Sequence, residues 1–196
     1  MKRLLLLGAG HAQLSVLASL AAQRMPSGDI LLVTPHTRQF YSGMVPGLIS
    51  GRFAEDDCAI DVVPLAKAAG VHLRIGTAAS LDAAARKVTL ADGEEIGYDV
   101  LSINTGPEQL RDRIAGAREF ALFVRPIEGF ITLWKHTRAL AEERPLSVVI
   151  IGNGAAGVEL ALAVRAALGQ RAELSIVSDG ALCSNSPRLL SVAMAP

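Results

Sequence analysis

The chain has 196 residues, 51% of them hydrophobic, and balances 19 Lys+Arg against 19 Asp+Glu. A net charge of zero, with Lys and Arg scattered rather than clustered, removes any global attraction to nucleic acid or to an acidic membrane. A chain of this length can bury roughly 70% of its unfolded surface, so one or two domains can form without disulfides; Cys58 and Cys183 make no CxxC or CxxxxC pair, which argues against a metal site and a redox disulfide and suits a reducing cytoplasm.

At the N-terminus, Lys2 and Arg3 precede Leu4 to Leu7, the outline of a signal peptide, but the apolar run stops after four leucines. No uninterrupted apolar stretch is long enough to span a bilayer, and a soluble, cytoplasmic protein is expected. Arg3 to Leu7 reads as a fully buried parallel strand ending in glycine. From His11 to Arg24, Leu14, Leu17, Ala18 and Ala21 recur at helical spacing, with Pro26 and Gly28 as the stop. Ile30 to Val33 is a second buried strand, so the chain opens β-α-β with its strands parallel.

A turn-rich segment follows, punctuated by Pro35, Gly43, Pro46, Gly47 and Gly51. Val62 to Ala69 predicts a short helix and Val71 to Ala79 a strand. Asp92-Gly93 predicts a hairpin between Lys87–Leu90 and Glu95–Tyr98, and Val100 to Ile103 a strand running into Asn104-Thr105-Gly106. Arg111 to Arg118 reads as a connector, and Pro126 opens a helix over Ile127 to Glu143. Then the opening pattern returns: strand Ser147 to Ile151, glycine loop Gly152 to Gly157, helix Val158 to Leu168, strand Glu173 to Val177. A doubly wound domain needs further strands, so this second domain, residues 119–196, is expected to be incomplete beside a first one of residues 1–118.

The second loop, Gly152-Asn153-Gly154-Ala155-Ala156-Gly157, is GxGxxG between a buried strand and a helix. Its glycines serve a tight turn, close approach of backbone to a diphosphate, and close helix–strand packing. The helix N-terminus adds free N–H groups and the positive end of its dipole. The first loop, Gly8-Ala9-Gly10-His11-Ala12-Gln13, keeps two glycines but has Gln13 in place of the third. That side chain must point away from the strand or push the helix outward, so the loop taken alone reads equally as a phosphate loop or a plain turn. His11 is either a phosphate donor or a solvent-facing helix residue.

At the ribose position, where the second strand of each unit ends, the first unit has Thr34-Pro35-His36 without a carboxylate, and the second has Ser178-Asp179. An acidic group there accepts from ribose hydroxyls and repels a 2′-phosphate, which favours NADH over NADPH. Asp179 as an ordinary turn residue is the competing reading.

Two such units, with a hairpin and Asn104-Thr105-Gly106 between them, resemble the two-dinucleotide-binding-domain flavoproteins, the pyridine nucleotide-disulfide oxidoreductases and type II NADH dehydrogenases among them. Gly152 to Gly157 with Glu159 is similar to that family's GxGxxGxE motif, Asn104-Thr105-Gly106 to its ATG segment, and Ala78 lies where relatives contact the adenine. A narrower likeness joins Gly8 to Gln13, Thr34-Pro35 and Tyr41-Ser42-Gly43-Met44-Val45-Pro46-Gly47 to flavoproteins associated with selenide, water dikinase. The resemblance implies FAD on the first loop, with Ser42, Gly43 and Met44 near the flavin, and NAD(P)H on the second. It implies an α/β fold: a Rossmann-like FAD domain with an inserted hairpin, then the start of a Rossmann-like NAD(P) domain. The expected reaction is hydride transfer from NAD(P)H to flavin and on to a small-molecule acceptor, a quinone, disulfide or selenium compound. No catalytic side chain and no metal are called for, because the flavin carries the chemistry. The resemblance covers only about the first half of such proteins and leaves homodimer formation and membrane contact open. A truncated, catalytically incompetent nucleotide-binding fragment is the rival expectation, and an NAD(H) module with a degenerate first loop is a third.

Overall fold

The computed structural model describes residues 2–23, 28–178 and 180. The readings placed on Pro26, Asp179 and Cys183 lie outside these residues. The chain opens with strand β1 (Arg3–Leu7), helix α1 (His11–Gln23) and strand β2 (Asp29–Thr34), then β3 (Arg38–Phe40) and α2 (Val45–Ile49). Strand β4 (Ala59–Asp61), helix α3 (Val62–Ala68) and strands β5 (His72–Ile75), β6 (Ala78–Asp82), β7 (Lys87–Leu90), β8 (Glu95–Gly97) and β9 (Val100–Ile103) follow. The last elements are α4 (Ala117–Phe120), α5 (Ile127–Glu143), β10 (Leu146–Ile151), α6 (Ala155–Leu168) and β11 (Ala172–Val177).

The chain divides into two compact units, Met1–Gln39 with Ala59–Glu108, and Phe40–Cys58 with Gln109–Pro196. The first is built on a parallel sheet of order β5-β2-β1-β9. Its two central strands are apolar on both faces because both faces are covered. Leu6 and Leu32 pack with Leu14 and Leu17 of α1, Val62 of α3, and Val71. Leu5, Leu7 and Val33 point the other way, onto Val88, Leu90 and Ile96 of the antiparallel β6-β7-β8 sheet. Leu5, Leu6, Leu17 and Leu32 are at most 1% exposed, and each such burial contributes ~1.5–3 kcal/mol.

One expected element is corrected. Val71 to Ala79 is not one strand: β5 pairs with β2 in the parallel sheet, whereas β6 pairs with β7 in the antiparallel one. The chain changes sheets at Gly76-Thr77, where the Gly76 N–H donates to the Thr34 carbonyl at 2.9 Å and the Ala91 N–H to that of Thr77 at 2.8 Å. The expected hairpin is present between β7 and β8. Gly93, at φ +90°, turns its loop, and its N–H donates to the Leu90 carbonyl at 3.0 Å.

In the second unit, α5 buries Ile127, Phe130, Ile131 and Trp134, the i, i+3, i+4, i+7 stripe of an amphipathic helix. Helix α2, unforeseen amid Pro46 and Gly47, tolerates its proline in the first turn, where no intrahelical N–H bond is lost, and packs on α6. Strands β10 and β11 pair in parallel with Ile151 opposite Val177. One face of this pair leaves Val149, Ile151 and Val177 at 54%, 59% and 53% exposure. Among the described residues no helix is long and apolar enough to cross a membrane.

Candidate functional site

The first glycine loop joins β1 to α1 and is held from β9. Gly8, at φ +85°, donates its N–H to the Val33 carbonyl at 2.7 Å, which ties the turn to the end of β2. A Cβ on Gly8 would stand 2.4 Å from the Asn104 carbonyl oxygen, and one on Gly10 would stand 2.2 Å from the Asn104 Oδ1. Both glycines are therefore required by the approach of the β9 end. Asn104 donates its N–H to the Leu7 carbonyl at 2.7 Å and accepts the Gly10 N–H at 3.2 Å on its carbonyl. Its Oδ1 accepts the Ala12 N–H at 3.1 Å. His11 and Ala12 are exposed at the head of α1.

Gln13 resolves the problem that its size poses. It is 1% exposed and reaches sideways to β9, its Nε2 donating to the Ser102 Oγ at 3.1 Å and the Ser102 carbonyl at 3.3 Å. Its Oε1 has no hydrogen-bond partner among the described residues, a deficit of ~1–3 kcal/mol in a buried acceptor.

The second loop repeats the first at a constant offset of 144 positions. The Gly152 N–H donates to the Val177 carbonyl at 2.9 Å as Gly8 does to Val33, and Val158 donates to Gly154 at 3.1 Å as Leu14 does to Gly10 at 3.0 Å. Gly152 has φ +119°. A Cβ on Gly157 would lie 2.2 Å from the Gly152 carbonyl oxygen, so helix and strand meet too closely there for any side chain. Gly154 differs: among the described residues a Cβ there meets nothing within 4 Å. Packing among the described residues does not demand this glycine, whereas close approach of a phosphate would. Gly154, Ala155 and Ala156 are exposed, as is Glu159 one turn along.

Thr34 is 2% exposed with its hydroxyl donating to the His36 carbonyl at 3.4 Å, while Pro35 and His36 are exposed. The Gly76 bond to Thr34 brings the start of the Gly76-Thr77-Ala78 segment to the end of β2, and Ala78 is half-buried against the core. Thr105 and Gly106 are exposed after β9, with Gly106 at φ +78°. Ser42, Gly43 and Met44 form a 3-10 turn in the second unit, with the Tyr41 ring 3.1 Å from a Cβ built on Gly43. Ser178 donates its hydroxyl to the Gly180 carbonyl at 2.6 Å. Sequence reasoning missed Ser102 as the partner of Gln13 and the side chain of Asn104 as a cap; both contacts span about ninety positions, and no local pattern signals them.

Both junctions have features that suit a diphosphate: a glycine with positive φ ends the strand, and exposed residues stand at the head of a helix of 13 or 14 residues, although at the first junction the Asn104 amide lies against Gly10 and holds the Ala12 N–H. Parallel βαβ units with a glycine turn at each strand-to-helix junction define a Rossmann-like α/β protein. The chain belongs to the pyridine nucleotide-disulphide oxidoreductase family, whose profile matches residues 2–194. It is 26% identical over 187 residues to demethylphylloquinone reductase of Synechocystis, covering 91% of this chain and 46% of that protein. It is 28% identical over 174 residues to an NADH dehydrogenase-like protein of Mycobacterium tuberculosis, covering 82% and 42%. NDH2 from Plasmodium falciparum in complex with NADH shares the fold at a TM-score of 0.79 and 17% identity, over 97% of this chain and 44% of that one. The sulfide:quinone oxidoreductase of Aquifex aeolicus does so at a TM-score of 0.67 and 21% identity, over 91% and 43%. The chain thus spans less than half the length of these proteins.

Proposed function

We propose that this chain supplies the two diphosphate-binding junctions of a cytoplasmic, FAD-dependent NAD(P)H oxidoreductase, FAD at the loop Gly8–Gln13 and NAD(P)H at Gly152–Gly157. The observation that carries the reading is the repeated junction, with Gly154 a glycine that no atom of the described residues requires. A flavin, when bound, supplies the redox chemistry, taking a hydride from NAD(P)H and passing electrons to an acceptor. The chain's own residues bind and orient: the amides at the heads of α1 and α6 and their helix dipoles meet the diphosphates. Thr34 and Pro35, Ala78, and Asn104 to Gly106 flank the first nucleotide. Glu159, Ser178 and Asp179 serve the second, and the acidic Asp179 favours NADH. The names of the relatives support a quinone as the acceptor.

The test is a titration of the 196-residue chain with NADH and FAD, with Gly154→Ala beside it. The wild-type chain is expected to quench flavin fluorescence saturably and to bind NADH. Gly154→Ala should keep the far-UV circular dichroism and the flavin response and weaken NADH at least about tenfold, because a methyl group then stands where a phosphate must approach. Unchanged NADH affinity in that variant would remove the second junction from the reading.

A further inference from the structure

The two junctions differ in what stands over their middle glycine. At Gly154 no atom of the described residues lies within 4 Å of the place of a Cβ, whereas at Gly10 the Asn104 amide lies against the glycine, its Oδ1 2.2 Å from that place. The same Oδ1 accepts the N–H of Ala12, in the first turn of α1, where amides lack an intrahelical partner. A bound diphosphate and this amide side chain therefore call on one surface and one N–H group. We propose that the Asn104 side chain is a ligand-displaced cap, which holds the head of α1 in the free protein and must release the Ala12 N–H when the cofactor's diphosphate enters.

The inference rests on the flavin reading of the first junction. The geometry allows the exchange without moving the strand. The backbone of Asn104 is fixed independently, through its N–H to Leu7 at 2.7 Å and its carbonyl from Gly10 at 3.2 Å. Only the torsions of the side chain need to turn, and Ala12 lies at the exposed surface. The exchange is favourable because a phosphate oxygen carries charge: charge-assisted bonds are roughly twice as strong as neutral ones, and the head of a helix favours anions. It nevertheless costs the free protein its cap, so flavin affinity is lower than the bare junction would give.

The two quantities are thus linked with opposite signs. Asn104→Ala is expected to melt at lower temperature without ligand, having lost a cap on the head of α1, and to bind FAD about fivefold tighter, the equivalent of a typical cap. Asn104→Asp places a carboxylate on the same N–H; it should melt higher without ligand and bind FAD at least about tenfold more weakly, since it also repels the phosphates. The measurements are ligand-free melting and flavin-fluorescence titration on the 196-residue chain. Wild-type binding with equal or weaker FAD affinity in a folded Asn104→Ala overturns the proposal. If that variant does not fold, Asn104→Asp decides: FAD affinity equal to or above wild type overturns it, and weakened binding with unchanged circular dichroism upholds it. Absence of flavin quenching in wild type and both variants alike is a different outcome, which removes the flavin reading and this inference with it.

Discussion

Gly154 and Gly157 stand three positions apart on one loop and answer to different forces. At Gly157 the obstacle is the Gly152 carbonyl oxygen, 2.2 Å from a Cβ and part of the backbone. It cannot give way as the end of a flexible side chain would, so Gly157→Ala should cost about 2–3 kcal/mol of stability in urea denaturation. Gly154→Ala should cost under about 1 kcal/mol, the difference between glycine and alanine at an N-cap, which is where Gly154 lies. Comparable losses at both positions would contradict the packing argument. In the first loop the matching third position is Gln13, and its route to Ser102 could not be read in advance. The sequence pattern says that a large side chain must leave the strand, but which neighbour receives it depends on β9, reached only after most of the first unit has been threaded.

At the scale of elements, long apolar periodicities were the most legible. Helix α5 spans the predicted residues, and β1, β2, β9, β10 and β11 lie where strands are predicted, but β10, read as buried, alternates half-buried and exposed residues. What could not be read was pairing. Nothing local in Val71 to Ala79 marks the change of partner at Gly76, because apolar residues suit either sheet, and α2 hides behind Pro46 and Gly47. Electrostatics pin the loop between β7 and β8: Arg74 of β5 pairs with Glu94 at 2.8 Å and also with Asp92. The Glu94 N–H, with Arg74 behind it, holds the Asp92 carboxyl below its ordinary value. A carboxyl lowered in the folded state contributes stability that is present above the ordinary carboxylate value, near pH ~4, and is lost as pH falls through its own lower value. Asp92→Asn should accordingly flatten the decline of melting temperature below pH ~4 while leaving its slope between pH ~6 and ~8 unchanged. An acid limb identical to wild type would show that the pairing carries no linkage.

For the molecule as a whole, the two units present unequal surfaces. The first covers its central sheet on both faces, whereas β10 and β11 leave Val149, Ile151 and Val177 more than half exposed on adjoining positions. A contiguous apolar face of this kind promotes association. The chain alone should therefore grow in hydrodynamic radius with concentration in dynamic light scattering, and Val149→Lys should suppress that growth. A wild-type radius that stays constant across concentrations would count against it.

The two glycine junctions, alike at a constant offset, set unequal tolerance at their third positions. In the loop beginning at Gly152 a backbone carbonyl oxygen guards that position and admits glycine alone. In the loop beginning at Gly8 a serine hydroxyl on β9 receives the amide of a longer side chain, and the same place accommodates glutamine.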